Sequence, residues 1–199
     1  MKTLETSKYV IDLNKSELYT SKLPKDKESI GLEELNYLFQ TIREMQLVTG
    51  LDMTIEEILS DNKGLIYKLK NSIASKDEEE IQQVLRTIIG RGKGLTPSGD
   101  DLLIGLLWIN EIVEILSKEF LNSLEWLIFQ GGLTTDVSIN YYKSAFLGDY
   151  SSNLIDLSCE LISFNKGNIK GILEDIVKYG HTSGIDLLSG IALGLNTKI

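Results

Sequence analysis

The sequence predicts a mainly α protein: a single compact helical domain of about nine to ten helices with a short N-terminal extended segment. Three observations carry that expectation. From about residue 30 onward, apolar residues recur at three- and four-residue steps, the spacing of one helix face. No sustained alternating pattern follows residue 14. The composition, 42% hydrophobic and 25% charged with two prolines in 199 residues, supports a packed core and excludes wholesale disorder.

The elements follow in order. Residues 1–28 form a short extended and linker segment, and 29–199 the helical domain. Tyr9-Val10-Ile11-Asp12-Leu13 is a candidate strand. Ser21 to Glu28 is a polar, lysine-rich connector around Pro24. Leu32, Leu35, Leu38, Phe39 and Ile42 give an amphipathic helix up to about Val48. Thr54 caps a short helix, its hydroxyl taking a free first-turn N–H while Glu56 and Glu57 suit the positive end. Further helices fit 62–75 and 78–89. Pro97 to Ser117 is the longest helix and is apolar nearly all round, through Leu102, Leu103, Ile104, Leu106, Leu107, Ile109, Ile112, Val113 and Leu116, which marks a central buried element. Leu121 to Gln130 stops at Gly131-Gly132. Helices fit 135–146, 152–164 and 168–179, and the last runs from Ser183 to about Leu195.

Charge and composition exclude several functions. A formal net charge of -9 argues against a general nucleic-acid binder, which needs clustered Lys and Arg to neutralise phosphates. One cysteine and one histidine make neither an internal disulfide nor a Cys/His zinc site. Cys159 sits in a helical pattern and is expected to be a buried small apolar residue. The first residues are too polar for a secretory signal, and the longest apolar stretch, Leu102 to Ile109, falls far short of the roughly 20 residues that span a bilayer. A cytoplasmic protein without membrane contact is expected.

The chemistry concentrates in two places. Gly90-Arg91-Gly92-Lys93-Gly94-Leu95-Thr96-Pro97-Ser98-Gly99-Asp100-Asp101 has three glycines in five residues and then a helix start. Glycine admits positive φ and close approach to a ligand. Pro97 suits the first helical turn, Thr96 is the natural cap, and free N–H groups with the helix dipole form an anion site. The Walker spacing is absent. Near the C-terminus the motif returns: Ser98-Gly99-Asp100-Asp101-Leu102-Leu103-Ile104-Gly105 aligns without gaps on Ser183-Gly184-Ile185-Asp186-Leu187-Leu188-Ser189-Gly190, with six of eight positions identical. Thr96 and Thr182 precede the two copies, as do Gly94 and Gly180.

The repetition predicts two helices of like construction that approach closely at Gly105 and Gly190, with their N-termini on one side. Asp100, Asp101 and Asp186 then gather as candidate catalytic carboxylates, with His181 beside them as a proton carrier or anion partner. Gly94, Thr96, Ser98, Gly99, Thr182, Ser183 and Gly184 are candidate ligand-binding residues. Gly131-Gly132-Leu133-Thr134-Thr135-Asp136-Val137-Ser138 is explained by a helix–helix turn, and Thr135 and Ser138 are also candidates for the site. Carboxylates beside an anion site need substrate donors or a metal, and Mg²⁺ is the cation that suits an oxygen-rich set.

The runs G-K-G-L-T-P-S-G-D-D, T-T-x-V-S at Thr134 to Ser138, and G-H-T-S-G-x-D-L-L-x-G resemble the AllH family, a subunit of oxamate carbamoyltransferase, over roughly residues 30–199. The resemblance implies carbamoyl transfer, in which oxalurate and phosphate are interconverted with oxamate and carbamoyl phosphate, together with an FdrA-type subunit and one further partner; whether the chain forms an oligomer is left open. The family's usual proline in G-x-G-P-G-L-T-P-S-G-D-D is Lys93 here. The family generally carries a larger N-terminal β-rich part, whereas about 28 residues precede the first helix here. Two alternatives therefore stand beside the transferase reading: a non-catalytic ligand-sensing or assembly subunit, and a Mg²⁺-dependent hydrolase.

Overall fold

The computed structural model describes residues 3–14 and 20–198. Strands β1 (Thr3–Glu5) and β2 (Val10–Asp12) pair antiparallel with Leu4 opposite Ile11. Tyr9, Val10 and Ile11 are exposed, so the predicted strand forms outside the core. A single 3-10 turn at Lys27–Ser29 ends the connector. Ten helices follow among the described residues: α1 Leu32–Glu44, α2 Ile55–Ser60, α3 Leu65–Ile73, α4 Glu78–Ile88, α5 Ser98–Val113, α6 Lys118–Gln130, α7 Asp136–Phe146, α8 Ser152–Ser163, α9 Lys166–Val177 and α10 Ser183–Lys198. The mainly α expectation is met. Among the described residues no helix is long and apolar enough to cross a membrane.

Helices α5 and α10 form the centre. Leu102, Leu103, Leu106, Trp108 and Ile109 of α5 are fully buried, as are Leu188, Ile191, Ala192, Leu193 and Leu195 of α10. The others wrap this pair: α1, α2 and α9 lie on α10, α7 on α5, and α4 on α6. Glycine sets the distance between the central helices. A Cβ on Gly105 would sit 2.1 Å from the Leu187 carbonyl oxygen, and one on Gly190 would sit 1.9 Å from that of Leu102. These are equivalent positions of the two motif copies, so each copy presses its glycine onto the other's backbone. The helices are parallel, with both starts at one end, as the repeat predicts. A second pair of contacts repeats the theme. Gly99 abuts the Ile88 carbonyl that ends α4, and Gly184 abuts the Ile176 carbonyl near the end of α9.

Several boundaries differ from the sequence expectation, each for a local reason. Helix α1 stops at Glu44 rather than Val48 because Gln46 turns to positive φ and Val48 bridges Thr54. Helix α5 ends at Val113 rather than Ser117. Glu114 is left-handed there, and the Asn110 side chain accepts the Leu116 N–H at 2.8 Å. Ser117 instead caps α6, accepting the Phe120 N–H at 3.1 Å, so that helix begins at Lys118 rather than Leu121. Helix α10 continues past Leu195 to Lys198. Thr54 caps α2 as expected, with Glu57 returning the bond to the Thr54 N–H. Cys159 is exposed rather than buried. Leu157 and Leu161 take the inward face of α8, and the thiol falls on the other side.

The two kinds of glycine should respond oppositely to substitution. Gly190→Ala drives a methyl into the Leu102 carbonyl and should cost about 2–3 kcal/mol by overpacking. Gly171, mid-α9 with nothing within 4 Å of a built Cβ, should gain about 0.5–1 kcal/mol on replacement by Ala. Urea unfolding of both variants beside the wild type checks the contrast. Equal small effects would mean that the helix pair tolerates a wider spacing.

Candidate functional site

The parallel pair brings both motif copies to one end of the molecule. Their side chains cross over. The hydroxyls of Ser183, from the other copy, and Thr96, from its own, approach the Asp101 carboxylate closely enough to lower its pKa. Asp186 is approached in the same way by Thr182 of its own copy and Ser98 of the other. Thr96 Oγ1 and Ser183 Oγ lie 2.9 Å apart and close the circuit. In each carboxylate one oxygen, Asp101 Oδ2 and Asp186 Oδ2, is buried without a partner that meets hydrogen-bond geometry.

Burial dominates the electrostatics. It raises Asp101 from the ordinary 3.8 to about 7, against the lowering effect of the Ser183 and Thr96 hydroxyls, while the charges of Asp186 and Asp100 add to the rise. Asp186 is also raised, again chiefly by burial, against the Gly50 N–H and the Thr182 and Ser98 hydroxyls. At neutral pH the site therefore holds a carboxyl poised between its charged and neutral forms.

Asp100 has a different surrounding although it is adjacent in sequence. Successive residues point about 100° apart around a helix, so Asp100 faces the glycine loop and α7. Its Oδ1 accepts the Gly90 N–H and the Tyr142 hydroxyl, each at 3.0 Å, and its Oδ2 accepts the Thr134 hydroxyl. Tyr142 is fully buried. Its own ionisation is pushed well above the ordinary range by that burial and by the Asp100 charge, so it stays a donor. Asp100 thus ties the glycine loop, α5 and α7 together.

Other expected residues are distributed as follows. Thr96 is not the helix cap. Pro97, extended at ψ 144, takes that position, and its carbonyl accepts the Asp100 and Asp101 N–H groups at 2.8 and 3.2 Å. The Gly99 N–H goes to the Arg91 carbonyl at 2.8 Å. On α10, Gly184 donates to Tyr179 and Asp186 to Thr182. Much of the free backbone-donor set expected at these starts is therefore bound within the protein. Gly90, Gly92 and Gly94 all have positive φ, as does Gly180. A Cβ on Gly92 would sit 2.7 Å from Ser98 N, so the loop folds over the α5 start. Arg91, Lys93, Gly94 and Leu95 on this loop are exposed. Thr135 caps α7 through the Ser138 N–H and donates to the Leu95 carbonyl, anchoring the loop, while Ser138 Oγ is buried without a partner. His181 is exposed on the turn into α10.

Gly50, Thr134 and Tyr142 are the contributors that sequence reasoning missed. The Gly50 N–H donates to Asp186 Oδ1 at 2.8 Å. A Cβ there would lie 2.2 Å from Ser98 Oγ and 2.6 Å from Thr182 Oγ1, so the turn between α1 and α2 lies directly on the site. A signal existed: Thr49-Gly50-Leu51-Asp52 repeats the hydroxyl-Gly-x-Asp spelling, without the apolar residues that follow it in the two helices. Among the described residues no group of three or more His, Cys, Asp or Glu side chains is gathered as a metal ion would require. Asp100 points to its own partners, Gly90, Tyr142 and Thr134, apart from Asp101 and Asp186.

A family model described as oxamate carbamoyltransferase subunit AllH matches residues 88–195. That span holds both motif copies and Tyr142 and leaves Gly50 outside. No solved structure matches the chain.

The raised Asp101 value has a definite sign in stability. The folded protein keeps this proton over a pH range in which the unfolded chain has lost it. The stabilisation is complete at low pH and declines as pH rises from about 4 to about 7, at up to about 1.4 kcal/mol per pH unit. Asp101→Asn should flatten this part of the profile and be more stable than the wild type at pH 8. Denaturant unfolding across pH 4–8 measures it. An unchanged slope would mean that Asp101 ionises in the ordinary carboxylate range.

Proposed function

Because the chain belongs to the AllH family, described as the oxamate carbamoyltransferase subunit, we propose that it serves as a carbamoyltransferase subunit binding a small carbamoyl-type anion at the paired starts of α5 and α10. The ligand class is oxamate, oxalurate and carbamoyl phosphate, and residues 29–199 form the functional domain. One observation carries the reading: two buried carboxylate oxygens without partners, Asp101 Oδ2 and Asp186 Oδ2, sit on equivalent positions of crossed motifs. Buried acceptors are normally satisfied. A primary amide offers two N–H donors on one planar group, which suits a pair of such acceptors.

In this reading Asp186 orients the amide, with the Gly50 N–H fixing its other oxygen. The hydroxyls of Thr96, Ser98, Thr182 and Ser183 complete the polar lining. Arg91 and Lys93 on the glycine loop supply positive charge for the anionic end, and the His181 imidazole on the opposite turn is a further hydrogen-bonding partner for it. In the transfer the amide nitrogen of oxamate forms a bond to the carbamoyl carbon as the bond from that carbon to phosphate oxygen breaks. Phosphate leaves with the electron pair, and the nitrogen's proton passes to Asp101. A carboxyl that titrates near 7 is matched to that transfer at neutral pH. Asp100 acts through position, holding α5 against the loop and α7.

A second reading, an assembly or ligand-sensing subunit, draws on a different observation. Leu95, 72% exposed on the glycine loop, and Val137 and Tyr141, exposed one turn apart on α7, present apolar surface beside the site. Thr135 ties the Leu95 carbonyl to the start of that helix. An FdrA-type subunit covering this surface would complete the site in the complex.

Thermal unfolding against carbamoyl phosphate, oxamate, oxalurate and phosphate tests the first reading. Ligand at about a hundred times its dissociation constant should stabilise the fold by roughly 2.7 kcal/mol, and Asp101→Ala should abolish the shift. No shift from any of them in the isolated chain would favour the second reading.

A further inference from the structure

The last turn of α5 helps to line a separate pocket of about 210 Å³. At 1.5 Å per residue it lies about 18 Å along the helix from Ser98, and it shares no residue with the paired motifs. Leu107, Leu121, Ala145 and Phe146 give it apolar walls, and Glu111 and Glu125 bring carboxylates to it.

Tyr150 also lines the pocket and is 7% exposed; its hydroxyl is buried and has no hydrogen-bond partner. Buried hydroxyls are rarely left so. The phenol's ionisation is pushed far up, first by burial and then by the charge of Glu111, which places its ring in the field of that carboxylate. Asn110 is already committed, its side-chain oxygen accepting the Leu116 N–H at 2.8 Å. Lys27 Nζ lies 2.7 Å from Glu111 Oε2, neutralising one of the two carboxylates and leaving one net negative charge on the pocket. The carbonyl end of α5 adds partial negative charge in the same place. Apolar walls, one uncompensated negative charge and an unmatched phenol oxygen describe a ligand with a short hydrocarbon stem and a cationic, donor-rich head.

We propose that this pocket is a second ligand site, which takes a short-chain primary ammonium ion with its stem against Leu107, Leu121, Ala145 and Phe146 and its head donating to Tyr150 Oη and Glu125. The probe is n-butylammonium chloride, titrated into the full chain by calorimetry and by thermal unfolding. Sodium butyrate and sodium chloride at matched ionic strength are the controls. A saturable rise in Tm with butylammonium alone is expected. Glu125→Gln and Tyr150→Phe, which preserve side-chain size, should each weaken binding at least fivefold while remaining folded. No saturable response would overturn the proposal. An equal response to sodium chloride would do so too, since it would mean general screening of an acidic chain. So would an affinity within twofold of the wild type in either variant.

Discussion

The close contact of α5 with α10 is the constraint on which the rest depends. Gly105 rests on the Leu187 carbonyl and Gly190 on that of Leu102, so the two backbones approach as side chains would forbid. That spacing lets the serine of each motif reach the aspartate of the other. It also removes water from the carboxylates, which is the first cause of the raised Asp101 and Asp186 values. The same glycines that make the core compact thus set the chemistry at its end. A helix pair separated by ordinary side chains would leave two solvated aspartates with ordinary acidity.

The two motif copies are alike in skeleton and unlike in surroundings. The first carries Asp100, which binds the Gly90 N–H and the hydroxyls of Tyr142 and Thr134. The second carries Ile185 at the matching position and has no such tie. In compensation, Asp186 receives the Gly50 N–H from the turn after α1. The result is a nearly symmetric ring of hydroxyls and carboxylates held from two different sides.

Retaining two buried, incompletely paired carboxylates opposes stability. The molecule offsets that cost with an apolar α5–α10 interior and with helices packed around it on every side. The cost is concentrated at the motif ends of the two helices. Such local expense is characteristic of sites kept for binding rather than for folding.

The helical class, the identity and parallel pairing of the two central helices, and the set of hydroxyls and carboxylates at their starts are all legible in the chain before folding. Periodicity and a repeated motif are local properties of the chain, and both survive folding unchanged. The ends of α1 and α5 were less legible, because left-handed Gln46 and Glu114 and the Asn110 side chain decide them. Cys159 was misplaced because a helical pattern shows that a face is buried and leaves open on which side of it one small residue falls. The approach of distant segments decided that Thr96 meets Ser183 rather than capping α5, and that Gly50, Thr134 and Tyr142 join the site. Each of these is a contact between residues far apart in sequence, set by the distance between helices, and no local pattern encodes that distance.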